Sequence, residues 1–211
     1  MKSNWRHVLG GGLIALYLVG ASAVVRAEDA RIRALTRNPA AHQAAIEGGK
    51  KASFFCINCH GNNGISSLTD VPNLAGQNPD YVLVQTRKFG NGQRKDEFME
   101  GLIKVLSEEQ KVQIALFYAA QQVTPGKQDV ALVGKGKQVY TQFCSRCHGN
   151  YARGNEVIPR LAGQHTDYLE LSLKRYKSRS GERVDPLMFN AVVPLKLDQI
   201  KAVAAYLNTL P

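Results

Sequence analysis

Three things are missing from this 211-residue sequence: strand-like alternation of apolar and polar residues, carboxylates or nucleophiles gathered about a shared motif, and sulfur or imidazole in quantity. The first absence leaves helices as the means of burying a core. The second argues against acid–base or nucleophilic catalysis by the chain itself. The third makes placement informative, for there are only four cysteines, five histidines and three methionines, one of them the initiator. Charge is absent too from Val8 to Val25, directly after the basic Lys2 and Arg6. A basic start and an apolar run have the form of an export signal. Residues 1–27 are therefore expected to be a signal peptide cut after Ala27, with an uncleaved membrane anchor as the alternative, since the run is about as long as the shortest membrane spans. Either reading puts the rest of the chain outside the cytoplasm. Removing that segment leaves 24 basic and 17 acidic residues, and 13 of the basic ones fall in residues 125–211 against seven acidic ones.

What is present is a repeat with a period near 88 residues. Phe55-Cys56-Ile57-Asn58-Cys59-His60-Gly61-Asn62 returns as Phe143-Cys144-Ser145-Arg146-Cys147-His148-Gly149-Asn150. Pro72-Asn73-Leu74-Ala75-Gly76-Gln77 returns as Pro159-Arg160-Leu161-Ala162-Gly163-Gln164, each followed by an Asp-Tyr pair. Arg94 and Arg183 then align, as do Met99 and Met188. The chain is expected to be two domains that arose by duplication, residues 28–124 and 125–211, parted at Pro125-Gly126, both of them helix breakers. Periodicity predicts three helices in each: 39–55, 80–89 and 107–120, then 133–143, 166–177 and 197–207. Ser107 with Gln110 offers a capping box. About twenty residues without periodicity follow each cysteine motif. Stretches of that length are uncommon unless they serve a site, and a domain this thin gains from a large apolar cofactor.

Each Cys-x-x-Cys-His unit carries the chemistry of covalent haem attachment. Cysteines three residues apart share one face of a helical turn, and the next residue, His60 or His148, is directed at the iron. Zinc would not explain why His-Gly follows each second cysteine, and a redox disulfide would sit in a strand-containing domain. Cys56, Cys59, Cys144 and Cys147 are thus expected to hold two covalently bound haem c groups. Met99 and Met188 follow their histidines by 39 and 40 residues. A thioether on the opposite face of each iron would raise its potential, while a core methionine is the plain alternative. Met ligation would leave no open position for a substrate. Pro72 and Pro159 keep a carbonyl that could accept from Nδ1 of the ligand histidine, a turn proline being the other reading. Arg94 and Arg183 suit haem propionates or a solvated surface. Lys174-Arg175-Tyr176-Lys177 suits docking to an acidic redox partner or anionic lipid, or a solvated face, rather than nucleic acid. His42 and His165 do not repeat and read as surface or helix-end residues.

These residues resemble the class I c-type cytochromes, and among them the two-haem "c-four" subfamily. The likeness rests on both Cys-x-x-Cys-His-Gly units, both Pro-x-Leu-Ala-Gly-Gln segments and the approach from Met99 and Met188 to the last helix. It covers residues 40–211. It implies an all-α fold of two tandem cytochrome c domains, with His60 and Met99 on one iron and His148 and Met188 on the other. It implies a periplasmic or membrane-attached carrier with no catalytic residues. Electrons would come from a donor such as a quinol-oxidising cytochrome complex and go to a terminal oxidase or reductase. A relay subunit of an enzyme complex is the second function class. The first half departs from the family's habit by having Glu97-Phe98 before its methionine, where the second has Pro186-Leu187.

Overall fold

In the computed structural model, residues 30–127 and 130–211 are described, so the expected leader at 1–27 lies outside them. Residues 30–37 are helical and lead into α1, Pro39–Ala52. Asn38 caps α1 by accepting from the Ala41 N–H, and Pro39 occupies the first turn, where its missing N–H costs nothing. There follow α2 (Ile57–His60), α3 (Pro79–Gly90), α4 (Glu97–Lys104) and α5 (Glu108–Ala119). The second half runs α6 (Val130–Phe143), α7 (Ser145–His148), α8 (Thr166–Ser178), α9 (Pro186–Val192) and α10 (Leu197–Asn208). The fold is all-α: among the described residues the sole bridge of strand type joins Arg94 to Arg183. No helix among the described residues is long and apolar enough to cross a membrane.

The Ser107–Gln110 capping box forms, Ser107 Oγ accepting from Gln110 N at 3.1 Å while Gln110 Oε1 accepts from Ser107 N at 2.9 Å. The expected helix over 39–55 stops short, at Ala52. There the Ser53 hydroxyl takes the Lys50 carbonyl, and the chain turns from Ser53 into Cys56. The expectation also lacked α4 and α9, the two short helices that carry the methionines.

Each half packs its last helix on its first and on its middle helix. Glycine sets the first crossing. A Cβ on Gly49 would lie 2.0 Å from the Gln113 carbonyl oxygen, and one on Gly136 would lie 2.1 Å from that of Ala202. The backbones of α1 and α5, and of α6 and α10, therefore approach as only glycine permits. Around the second crossing lies a continuous core that includes Val139, Tyr140, Leu195, Ile200, Val203 and Leu207. The first half divides its core into two clusters, one with Ile32, Leu83, Val112 and Leu116 and the other with Ile114, Phe117 and Tyr118. The seam between halves is made largely of neutral amides. Asn78 Nδ2 donates to the carbonyls of Asn155 and Ile158, Asn73 Nδ2 to that of Gly163, and Tyr168 N to that of Thr69.

Candidate functional site

The two cysteine motifs fold alike, each as one helical turn that ends at a glycine. Gly61 and Gly149 have φ of 77° and 76°, a left-handed conformation that lets the chain leave the turn at once. A Cβ on Gly61 would also meet the Ile65 carbonyl oxygen at 2.0 Å. These turns bury His60 and His148, 8% and 4% exposed. His60 Nδ1 lies 2.9 Å from the Pro72 carbonyl oxygen, and His148 Nδ1 lies 3.0 Å from that of Pro159. A carbonyl only accepts, so in each ring Nδ1 carries the hydrogen and Nε2 keeps its lone pair. Burial lowers the pKa of both imidazoles, against the opposing pull of the proline carbonyls. Both rings are therefore held neutral, the form that binds a metal.

None of the four cysteines forms a disulfide. Burial raises Cys56, and burial with Cys147 beside it pushes Cys144 up to about 12. Both shifts disfavour the thiolate form at those two positions. Among the described residues no three of His, Cys, Asp and Glu gather into a metal-holding group.

Met99 and Met188 sit at equivalent places, the third residue of α4 and of α9. Their N–H groups donate to the capping carboxylates of Asp96 and Asp185, each at 3.0 Å. The one sequence signal for these two helices is an aspartate three residues before each methionine, an N-cap signature. Met188 packs on the same apolar cluster as Cys144, Leu161 and Tyr176. Met99 is half-buried and lies outside both clusters of its half.

The surroundings of the motifs fit a large apolar group. Cys56 opens on a groove lined by Phe55, Leu102, Val105 and Leu106. Phe55 and Val105 of that groove are 62% and 77% exposed. Apolar surface gathered in such a groove marks a binding site. Anion chemistry fits as well. Arg183 is buried at the seam, donating to the hydroxyls of Tyr168 at 2.8 Å, Tyr81 at 2.9 Å and Ser172 at 3.0 Å. Arg94 reaches the same Tyr168 hydroxyl from the other half at 3.0 Å and stacks over Phe89 at 4.3 Å. Burial would raise the Tyr168 phenol, but Arg183 and Arg94 outweigh it and hold it below its ordinary range. None of these partners is a carboxylate, and the adjacent Glu182 pairs with Arg175 at 2.9 Å. Arg94 also donates to Gln85 Oε1 at 3.1 Å, and two guanidiniums whose partners include no carboxylate make a place for one.

The basic run of α8 is not one open patch. Lys174 bridges to Glu170 at 2.8 Å, Arg175 to Glu182, Lys177 donates to the Val193 carbonyl, and Arg179 stacks over Phe189 at 3.7 Å. His165 begins α8, its Nε2 3.0 Å from the Ser66 carbonyl oxygen across the seam, and His42 is half-buried on α1. Sequence reasoning assigned no role to Gln77 or Gln164, although both stand in the repeat; both are buried at the seam.

The model of the cytochrome c family matches residues 133–211. Cytochrome c4 of Thiocapsa roseopersicina is 33% identical over 189 residues, spanning 80% of this chain and 97% of the relative. A protein of Thiomonas intermedia named thiosulfate dehydrogenase electron acceptor is 34% identical over 173 residues, 74% of this chain and 78% of the relative. The solved structure of reduced recombinant cytochrome c4 from Pseudomonas stutzeri superposes with a TM-score of 0.72 at 29% identity, covering 78% of this chain and 98% of that one.

Proposed function

The chain belongs to the cytochrome c4 family, and from that premise we propose that it is a periplasmic dihaem electron carrier, not an enzyme, built from two tandem cytochrome c domains at 28–124 and 125–211. The observation that carries this reading is the doubled arrangement of a buried histidine, its Nδ1 tied to a proline carbonyl, in a single helical turn that also holds two cysteines outside any disulfide. Cys56 and Cys59 would hold one haem c, and Cys144 and Cys147 the other. When bound, each haem supplies a one-electron iron couple. The chain's own residues do the rest: His60 and His148 present Nε2, Met99 and Met188 present thioethers, and Pro72 and Pro159 fix the rings and raise their basicity. Arg94 and Arg183 would receive propionate carboxylates at the seam. Residues 1–27 would be the export signal, or an anchor that ties the carrier to the membrane.

The testing measurement is haem content together with the sulfur-to-iron charge-transfer band of the oxidised protein. Two haems per chain, with the band at strength for both, are expected. One haem, or a band at half strength, would defeat the reading.

Donor and acceptor would be a quinol-oxidising cytochrome complex and a terminal oxidase or reductase. A second reading, in which a dehydrogenase supplies the electrons, is supported by the likeness to the Thiomonas electron acceptor. A freely diffusing carrier should come away from large partners in a salt wash, whereas a relay subunit should stay with them. If α8 docks to an acidic partner, Lys174→Glu with Arg175→Glu should slow electron transfer at low salt by several-fold. An unchanged rate would remove that face from the docking surface, as the internal pairing of its cations already suggests.

A further inference from the structure

The repeated Pro-x-Leu-Ala-Gly-Gln segment ends in a glutamine in each half, and each glutamine turns away from its own proline toward that of the other half. Gln164 Oε1 accepts from Asn73 N at 2.8 Å, and its Nε2 donates to Asn73 O at 2.9 Å. Gln77 does the same to Arg160, accepting from its N at 2.8 Å and donating to its O at 3.0 Å. The two side chains are 7% and 5% exposed for Gln77 and Gln164, and each oxygen also accepts from the backbone N–H that follows it, Asn78 or His165, at 3.0 Å. Rotating either amide by half a turn would set donor against donor and acceptor against acceptor, so the assignment is fixed by the network.

Asn73 follows Pro72, and Arg160 follows Pro159. The Pro72 carbonyl and the Asn73 N–H therefore belong to a single planar peptide group. His60 of the first half donates to one edge of that plane, and Gln164 of the second half accepts from the other. The mirror chain runs from His148 through the Pro159–Arg160 peptide to Gln77. A hydrogen bond taken from the amide N–H polarises the group and makes its carbonyl a stronger acceptor. A carbonyl that accepts more strongly from Nδ1 fixes the ring and makes Nε2 more basic.

We infer that Gln164 and Gln77 are positioning residues that act across the seam, each setting the orientation and basicity of the other half's axial histidine. The inference rests on His60 and His148 being iron ligands. It makes each iron's potential depend on the docking of the opposite half, through an amide rather than through a charge.

The test is the reduction potential of each iron, resolved by NMR of the half-reduced holoprotein, for wild type, Gln164→Leu, Gln77→Leu and Gln164→Glu. Leucine leaves the Asn73 N–H unpaired and the Pro72 carbonyl a weaker acceptor. The His60 iron should then become easier to reduce, by about threefold to tenfold in the constant for sharing one electron between the irons. Tenfold is 59 mV for a one-electron couple. The His148 iron should keep its potential. Gln77→Leu should move the His148 iron and spare the other, and Gln164→Glu, which keeps the acceptor oxygen, should remove most of the shift seen with leucine. A change in the substituted half's own iron, an equal change in both, or no change in either would overturn the inference while leaving the ligand assignment standing. Should Gln164→Leu fail to fold, Gln77→Leu carries the same decision. A wild-type protein without two His/Met spectral signatures would overturn the ligand assignment, and the inference with it.

Discussion

Met188→Ala should remove about half of the sulfur-to-iron band of the oxidised protein and allow one carbon monoxide to bind per reduced chain, where wild type binds none. The Asp185 side chain caps α9 by accepting from the N–H groups of Leu187 and Met188, both at 3.0 Å. That cap fixes the backbone of the residue offering the thioether. Alanine keeps the cap and the helix but supplies no sulfur. A thioether ligand raises the potential, so the potential of this iron should fall as well, while that of the first half stays where it is. Met99→Ala should repeat the result in the first half, where Asp96 caps α4. A full-strength band in either variant would show that the sulfur ligand is elsewhere.

A second large effect is expected from a residue that touches no cofactor. Gly136→Val should cost about 3 kcal/mol or more, because the first added carbon already lies 2.1 Å from a backbone oxygen of α10 that no rotamer change can move. The helices would have to separate, opening a core that is buried throughout. Two residues earlier on the same helix, Gly134 is exposed, and a Cβ there meets nothing within 4 Å. Gly134→Ala should therefore stabilise the chain by about 0.5–1 kcal/mol, the ordinary gain for glycine to alanine in a helix. Denaturant midpoints of the two variants decide the matter. Stabilisation in both would mean that the glycines matter through helix propensity and not through the crossing.

Much of this was legible in the chain. Recurrence of the cysteine motif, the prolines and the methionines located every candidate ligand, because covalent spacing along a helical turn is a local property. Helices with strong periodicity or caps, such as Ser107 with Gln110, were equally plain. Short elements were not: α4 and α9 are eight and seven residues long, too few for a period to show, and only their capping aspartates announce them. Register was misleading as well. Aligning the cysteine motifs pairs Gly48 with Gly136, whereas contact with the last helix pairs Gly49 with Gly136. The first half has one residue fewer between its helix crossing and its first cysteine, and it takes up the difference in the turn from Ser53 to Cys56. What periodicity could not reveal was the relation between the halves. The partners of Gln77, Gln164 and Arg183 are remote in sequence, and nothing in a neutral amide signals whose backbone it will hold. The cations around α8 were plain in sequence, but the internal partners of each, Glu170 for Lys174 and Glu182 for Arg175 among them, were not.

The chemistry of the seam also divides the protein's business into two regimes. Encounters with other proteins are governed by surface charge, which dissolved ions screen over about 10 Å at 0.1 M. Asn73, Gln77, Asn78 and Gln164 hold the halves together without net charge, and Gln77 and Gln164 do so away from water. Salt in the medium can thus throttle traffic in and out of the molecule while the internal junction stays as it is. A change in ionic strength would slow or hasten commerce between molecules and leave the distance between the two cysteine motifs untouched.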